Sequence, residues 1–97
     1  MEAWVRFADG RDPDLLGLVC LVDAFPPVVG EVGITGWVPT LELTCHLRAR
    51  PRSSWLAARV RTQVVQGGLA EEDCALWDTG GRLVAQSRQL ARPLLMA

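Results

Sequence analysis

The chain has 97 residues, 49% of them apolar and 22% charged, with a net charge of -1, enough for one domain with a core between two layers. Its arginines are scattered rather than clustered, which removes the electrostatic footprint of a nucleic-acid binder. The apolar window around Val19 is shorter than the roughly 20 residues a bilayer crossing needs, it contains Asp23, Pro26 and Pro27, and no basic-then-apolar leader opens the chain, so a cytoplasmic protein is expected.

In chain order, AWVRFADG reads as a short strand and GRDPDLLGLV as the start of a helix, with Asp12 as N-cap, Pro13 in the first helical position and Asp14 in the first turn. Leu15 to Val22 is apolar at nearly every position, which predicts a helix covered on most sides, and Gly17 marks a close approach. Pro26 and Pro27 stop the helix near Ala24 or Phe25. A Gly-rich link from Gly30 to Gly36 leads into WVPTLELTCHLRARP, which alternates Leu41, Leu43, Cys45 and Leu47 against Thr40, Glu42, Thr44, His46 and Arg48, the pattern of a half-buried strand. A second alternating run sets Leu56, Ala58, Val60 and Val64 against Arg59, Arg61 and Gln63. LAEEDCALWD follows and pairs through Asp78, Thr79, Gly80 and Gly81 into RLVAQSRQLARPLL. Arg59 and Arg61 fall within reach of Glu71, Asp73 or Glu42 on the polar face, an ordinary cross-strand charge arrangement. The expected fold is a single α+β domain over residues 1–97, an antiparallel sheet wrapped around one central helix. Its edge strand invites pairing with a second copy, so a homodimer is expected.

Asp23 stands out. From Leu15 to Gly30 it is the only charged residue, and it falls at a helix C-terminus, where the peptide dipoles disfavour negative charge. Two readings remain for it: a carboxylate kept for chemistry, or a cap bonded to a neighbouring amide or to an arginine of a partner. Cys20, Cys45 and Cys74 form an odd set without CxxC spacing and read as buried free thiols. With His46 as the lone histidine, neither a metal site nor any other cofactor is expected. His46 is the competing catalyst, but its neighbours Thr44 and Arg48 place it on a solvated face. Trp4, Trp37, Trp55 and Trp77 each lie at or beside a strand end and read as packing residues. None of Ser53, Ser54 and Ser87 occurs in a GxSxG elbow, and the glycines from Gly30 to Gly36 precede a strand rather than a phosphate-binding helix.

Taken together and in order, WVRF, LVDAFPP, GWVPTLELTCHLR followed by RP, the WL that opens the next strand, and WDTGGRLVAQSRQLA resemble the acyl-CoA thioesterase II-like family, specifically its second hotdog half. The resemblance covers almost the whole chain. It implies a hotdog fold and hydrolysis of acyl-CoA or another acyl thioester, without a cofactor. It also implies that a helix-end Asp, a Thr near the start of the long strand and a Gln on the last strand hold the attacking water. These fall on Asp23, Thr40 and Gln89. The first hotdog half has no counterpart here, so either two copies assemble the equivalent unit or the chain is a non-catalytic module, an acyl-binding or assembly half of a two-part protein. Strict alternation puts Thr40 on the polar face with Glu42 and His46, away from Gln89, unless the strand bends near Pro39.

Overall fold

The structure, a computed structural model, describes residues 1–25 and 39–92 in full and the backbone of 34–35 and 95–96. Residues 30 and 36, which bound the Gly-rich link, and Trp37 lie outside the described set. Eight elements follow one another: β1 (Glu2–Val5), α1 (Leu15–Val22), β2 (Ile34–Thr35), β3 (Thr40–Leu47), β4 (Leu56–Gln66), β5 (Leu69–Trp77), β6 (Leu83–Ala91) and β7 (Leu95–Met96). Five strands form an antiparallel sheet in the order β1-β4-β5-β6-β3 with α1 against one face, and β2 pairs with β7 in a small second ladder. That second ladder was not anticipated by the alternation pattern.

The helix begins two residues later than the sequence suggests. Asp14, not Asp12, is the N-cap: its backbone is extended and its Oδ1 accepts from Gly17 N at 2.7 Å, while Pro13 is buried just before it. Gly17 is required by contact, because a Cβ there would meet the Phe7 ring at 2.9 Å and the Asp14 carboxylate at 3.1 Å. Gly17, Leu18, Leu21 and Val22 face the sheet and are buried. Leu18, Leu56, Leu76 and Val84 are sealed from solvent, each contributing about 1.5–3 kcal/mol through burial. The opposite side of α1 is not covered as its composition implies: Leu16 is 80% exposed, and Leu15 and Cys20 are exposed beside it.

The hairpins follow their turn residues. Gly67 and Gly68 both take positive φ (63° and 77°) in the two-residue β4–β5 turn, a geometry that matches the twist of the flanking strands. Between β5 and β6 the buried Asp78 accepts from Gly80 N and Arg82 N at 3.1 and 3.0 Å. The Arg82 amide, with smaller help from other backbone amides and the Arg82 guanidinium, holds this carboxyl below its ordinary range against the opposing effect of desolvation.

Cross-strand register sorts the helix-facing side of the sheet into rows. One row runs Leu47, Ala85, Leu76, Ala58; the next runs Cys45, Ser87, Cys74, Val60; the third runs Leu43, Gln89, Glu72, Thr62. The first two are apolar or weakly polar and pack under α1. The third is polar at three of its four positions, and it lies at the C-terminal end of the helix. Bulges adjoin it on both sides, at Leu41 in β3 and at Gln63 in β4. They explain two departures from simple alternation: Leu41 is 58% exposed rather than aligned with Leu43, and Val64 turns outward.

Two groups of residues differ from expectation in burial. Trp4 and Trp55 are exposed, at 63% and 44%, rather than packed, and Arg6 lies over the Trp55 ring at 4.8 Å. Of the thiols only Cys74 is buried; Cys45 is half-buried and Cys20 exposed, because Cys20 falls on the open side of α1.

Candidate functional site

Asp23 is the C-cap of α1. Its amide donates to Cys20 O at 3.3 Å and the Ala24 amide to Leu21 O at 3.2 Å, so the last turn tightens and projects the Asp23 side chain off the end of the helix. Its carboxylate is exposed in this chain rather than enclosed by apolar groups. Thr40 opens β3 and pairs with Ala91 of β6, whereas Glu42 pairs with Leu90; the extra residue, Leu41, shifts parity at this point. The bulge therefore carries Thr40 onto the helix-facing side, together with Gln89, and resolves the conflict that strict alternation creates.

The three residues form one hydrogen-bonded chain. Thr40 Oγ1 donates to Gln89 Oε1 at 2.6 Å, and Gln89 Nε2 donates to Asp23 Oδ1 at 3.5 Å, a long contact. In this arrangement the amide nitrogen faces Asp23, a carboxylate that only accepts, and the amide oxygen takes the Thr40 proton. Thr40 and Asp23 lie at the surface and Gln89 is half-buried, so the chain is open to a ligand on one side.

His46 is elsewhere. It pairs with Gln86 and is exposed on the outer face, where it lines an open groove of about 500 Å³ with Arg59, Arg61, Asp73 and Arg88. The sheet separates it from Asp23, so His46 and the helix-end carboxylate do not share a cavity. On that outer face Arg59 approaches Glu2 at 3.8 Å, and Arg61 stands opposite Asp73. Among the described residues no three His, Cys, Asp or Glu side chains converge to hold a metal ion, and no helix is long and apolar enough to cross a membrane.

Sequence reasoning passed over Glu72 and Thr62. Glu72 is 7% exposed and stands directly opposite Gln89 on one side and Thr62 on the other. The signal was present: Glu72 has the parity of Ala70, Cys74 and Leu76, the buried positions of β5. Desolvation drives the Cys74 thiol up to about 12, and the neighbouring Cys45 and Glu72 add to that rise.

Residues 1–92 match the family model of the acyl-CoA thioesterase C-terminal domain, and the chain belongs to that family. A crystal structure from Thermobifida fusca YX, described as a candidate thioesterase II, superposes with a TM-score of 0.84 at 44% identity, covering 94% of this chain and 36% of that one. A hotdog-fold protein of unknown function from Alicyclobacillus acidocaldarius superposes equally well, at 0.84, with 23% identity over 99% of this chain and 38% of its own, and supports the fold alone. Uncharacterized proteins of Mycobacterium tuberculosis and Mycobacterium bovis are 37% identical over 91 residues, covering 94% of this chain. The chain spans about a third (31%) of the length of those curated relatives. The fold is thus a single hotdog, as the resemblance implied.

Proposed function

We propose that the chain serves in hydrolysis of acyl-CoA or a related acyl thioester, with Asp23, Thr40 and Gln89 holding the attacking water. The observation that carries this reading is the Thr40–Gln89–Asp23 chain of hydrogen bonds, drawn from three separate elements. Because Thr40 spends its only proton on Gln89, its oxygen is free to accept one from water, and Asp23 accepts the other. A water with both protons engaged presents a lone pair to the thioester carbonyl. Its oxygen bonds to the carbonyl carbon while one proton passes to Asp23. The tetrahedral intermediate then expels the thiolate, which recovers that proton, leaving a carboxylic acid and a free thiol.

A second hotdog completes the site in this reading. Leu41 is exposed next to Thr40, Leu16 is exposed on the open side of α1, β3 is an unpaired sheet edge among the described strands, and Asp23 is exposed. A homodimer built through this edge is the first arrangement, and pairing with a different hotdog half is the second. The length of the relatives favours keeping the second arrangement in view, and with it the role of a non-catalytic half.

The test is thioester cleavage by the purified chain, alone and in equal mixture with a first hotdog half from a relative, using acyl-CoA and following free thiol. Asp23→Asn keeps the shape and removes the base, so turnover should fall about 100-fold or more. Turnover by Asp23→Asn equal to that of the unaltered chain would refute the role. Light scattering in parallel separates a dimer from a chain that awaits a different partner.

A further inference from the structure

The third sheet row contains a carboxylate that the proposed chemistry leaves unused. Glu72 is 7% exposed on the helix-facing side of β5, where every second residue is otherwise Ala70, Cys74 or Leu76. An ionised group in such a place is costly unless specific partners offset its desolvation. Register puts Gln89 directly opposite on β6 and Thr62 directly opposite on β4, at separations where side chains of facing residues meet. The Thr62 hydroxyl is buried and, among the described residues, has no hydrogen-bond partner. Gln89 therefore stands between two carboxylates: Asp23, which its Nε2 meets at 3.5 Å, and Glu72 across the strand pair.

An amide in that position has an orientation problem. Thr40 does not settle it, because a hydroxyl can donate to the amide oxygen or accept from the amide nitrogen. Asp23 holds it weakly, through a long contact open to water. Glu72 is the buried carboxyl of the set, and its electrostatic influence is stronger where water is excluded. As a carboxylate it disfavours the Gln89 carbonyl oxygen on its side and favours the N–H pair.

Resting on the hydrolase reading above, we propose that Glu72 is a positioning residue of the same site, fixing the Gln89 side-chain amide with its nitrogen toward the carboxylates and its oxygen toward Thr40. Glu72 acts through Gln89. The consequence for Thr40 is specific. With the amide in this orientation its proton is committed to Gln89 and its lone pairs face the water; with the amide flipped, Thr40 becomes an acceptor from Gln89, and the water loses one of its two acceptors.

Two readouts test this on the whole chain. The side-chain amide protons of Gln89, assigned by comparison with Gln89→Met, report its surroundings by NMR whether or not the chain cleaves a thioester. Glu72→Gln removes the charge at nearly constant volume and should displace those resonances while the backbone spectrum of β1 and of the start of α1 stays in place. In the same variant thioester turnover should fall about tenfold at unchanged KM, the cost of a misplaced group rather than of lost binding. Glu72→Asp, which retains the charge, should recover part of that turnover, and it serves as the second variant if Glu72→Gln does not fold. Superimposable Gln89 side-chain resonances in the unaltered chain and in a folded Glu72 variant would overturn the proposal. Displaced resonances in a chain whose Asp23→Asn form turns over normally would support the Glu72–Gln89 coupling and refute the hydrolase reading, so the two failures are separable.

Discussion

Asp14 and Asp23 stand at the two ends of α1, and the surrounding chain uses them in opposite ways. At the N-terminus the Asp14 carboxylate accepts from Gly17 N at 2.7 Å, against the packed ring of Phe7 and after the buried Pro13. Charge, hydrogen bonding and helix dipole all agree there. At the C-terminus Asp23 opposes the dipole, meets among the described residues a long side-chain contact from Gln89 and faces solvent. The first end is closed and stabilising; the second is open and held at some expense to stability. A residue placed against local preference, at the end of the hydrogen-bonded chain from Thr40 through Gln89, is the one on which the proposed function rests.

Substitutions at the two ends should separate accordingly. Asp23→Asn carries the largest expected effect, about 100-fold or more in thioester turnover, equivalent to about 2.7 kcal/mol of transition-state stabilisation. The same change should leave the melting temperature unaltered or slightly higher, because it relieves a repulsion worth about 0.3–1 kcal/mol at a helix C-terminus. A fall of both activity and melting temperature would place Asp23 in the fold rather than in the chemistry. Gly17→Ala should do the reverse. Its new methyl meets Phe7 at 2.9 Å, and overpacking of this kind costs about 1–3 kcal/mol, a drop of several degrees by calorimetry, with turnover at low temperature retained. Asp14→Ala should follow with about 1 kcal/mol, or about 4–8 °C for a domain of this size.

The contrast between the two ends also marks how far the sequence can be read. The order strand, helix, sheet, the stop before Pro26 and the hairpin at Gly80 and Gly81 are local properties, written in turn residues and alternation, and the family resemblance extended them to the hotdog. The start of α1 was placed at Asp12 because Asp-Pro is a good opening, yet Asp14 repeats the same chemistry beside the Phe7 ring, and only tertiary contact chooses between them. Parity alone puts Thr40 on the polar face unless the strand bends near Pro39, and a single inserted residue, Leu41, reverses that parity. A bulge has no reliable signature in one sequence. Glu72 was legible in principle, being a carboxylate at an inward position of β5, but its importance depends on Gln89 lying opposite, which is a matter of strand register.

The thiols provide the finest test of whether the open end of α1 is open in solution. Cys20 lies on the uncovered side of the helix in the turn before Asp23, whereas Cys74 is buried beneath α1 with its pKa raised by desolvation to about 12. At neutral pH an alkylating reagent should modify Cys20 and leave Cys74 intact for as long as the domain is folded, since the thiolate is the reactive form. A second hotdog docked on Leu16 and β3 would slow the Cys20 reaction, and the protection should disappear on dilution below the dimer's dissociation range. The Cys74 shift also has a stability consequence. The folded state keeps its neutral thiol to higher pH than the unfolded chain, so this contribution is complete below the ordinary thiol value of 9.0 and is lost as pH rises toward about 12. Denaturant midpoints measured from pH 8 to pH 11 should therefore fall more steeply for the unaltered chain than for Cys74→Ala. Parallel curves would show that the thiol beneath the helix is not shielded from water and that the closed part of the core extends less far toward Asp23 than the burial of Val22 and Cys74 implies.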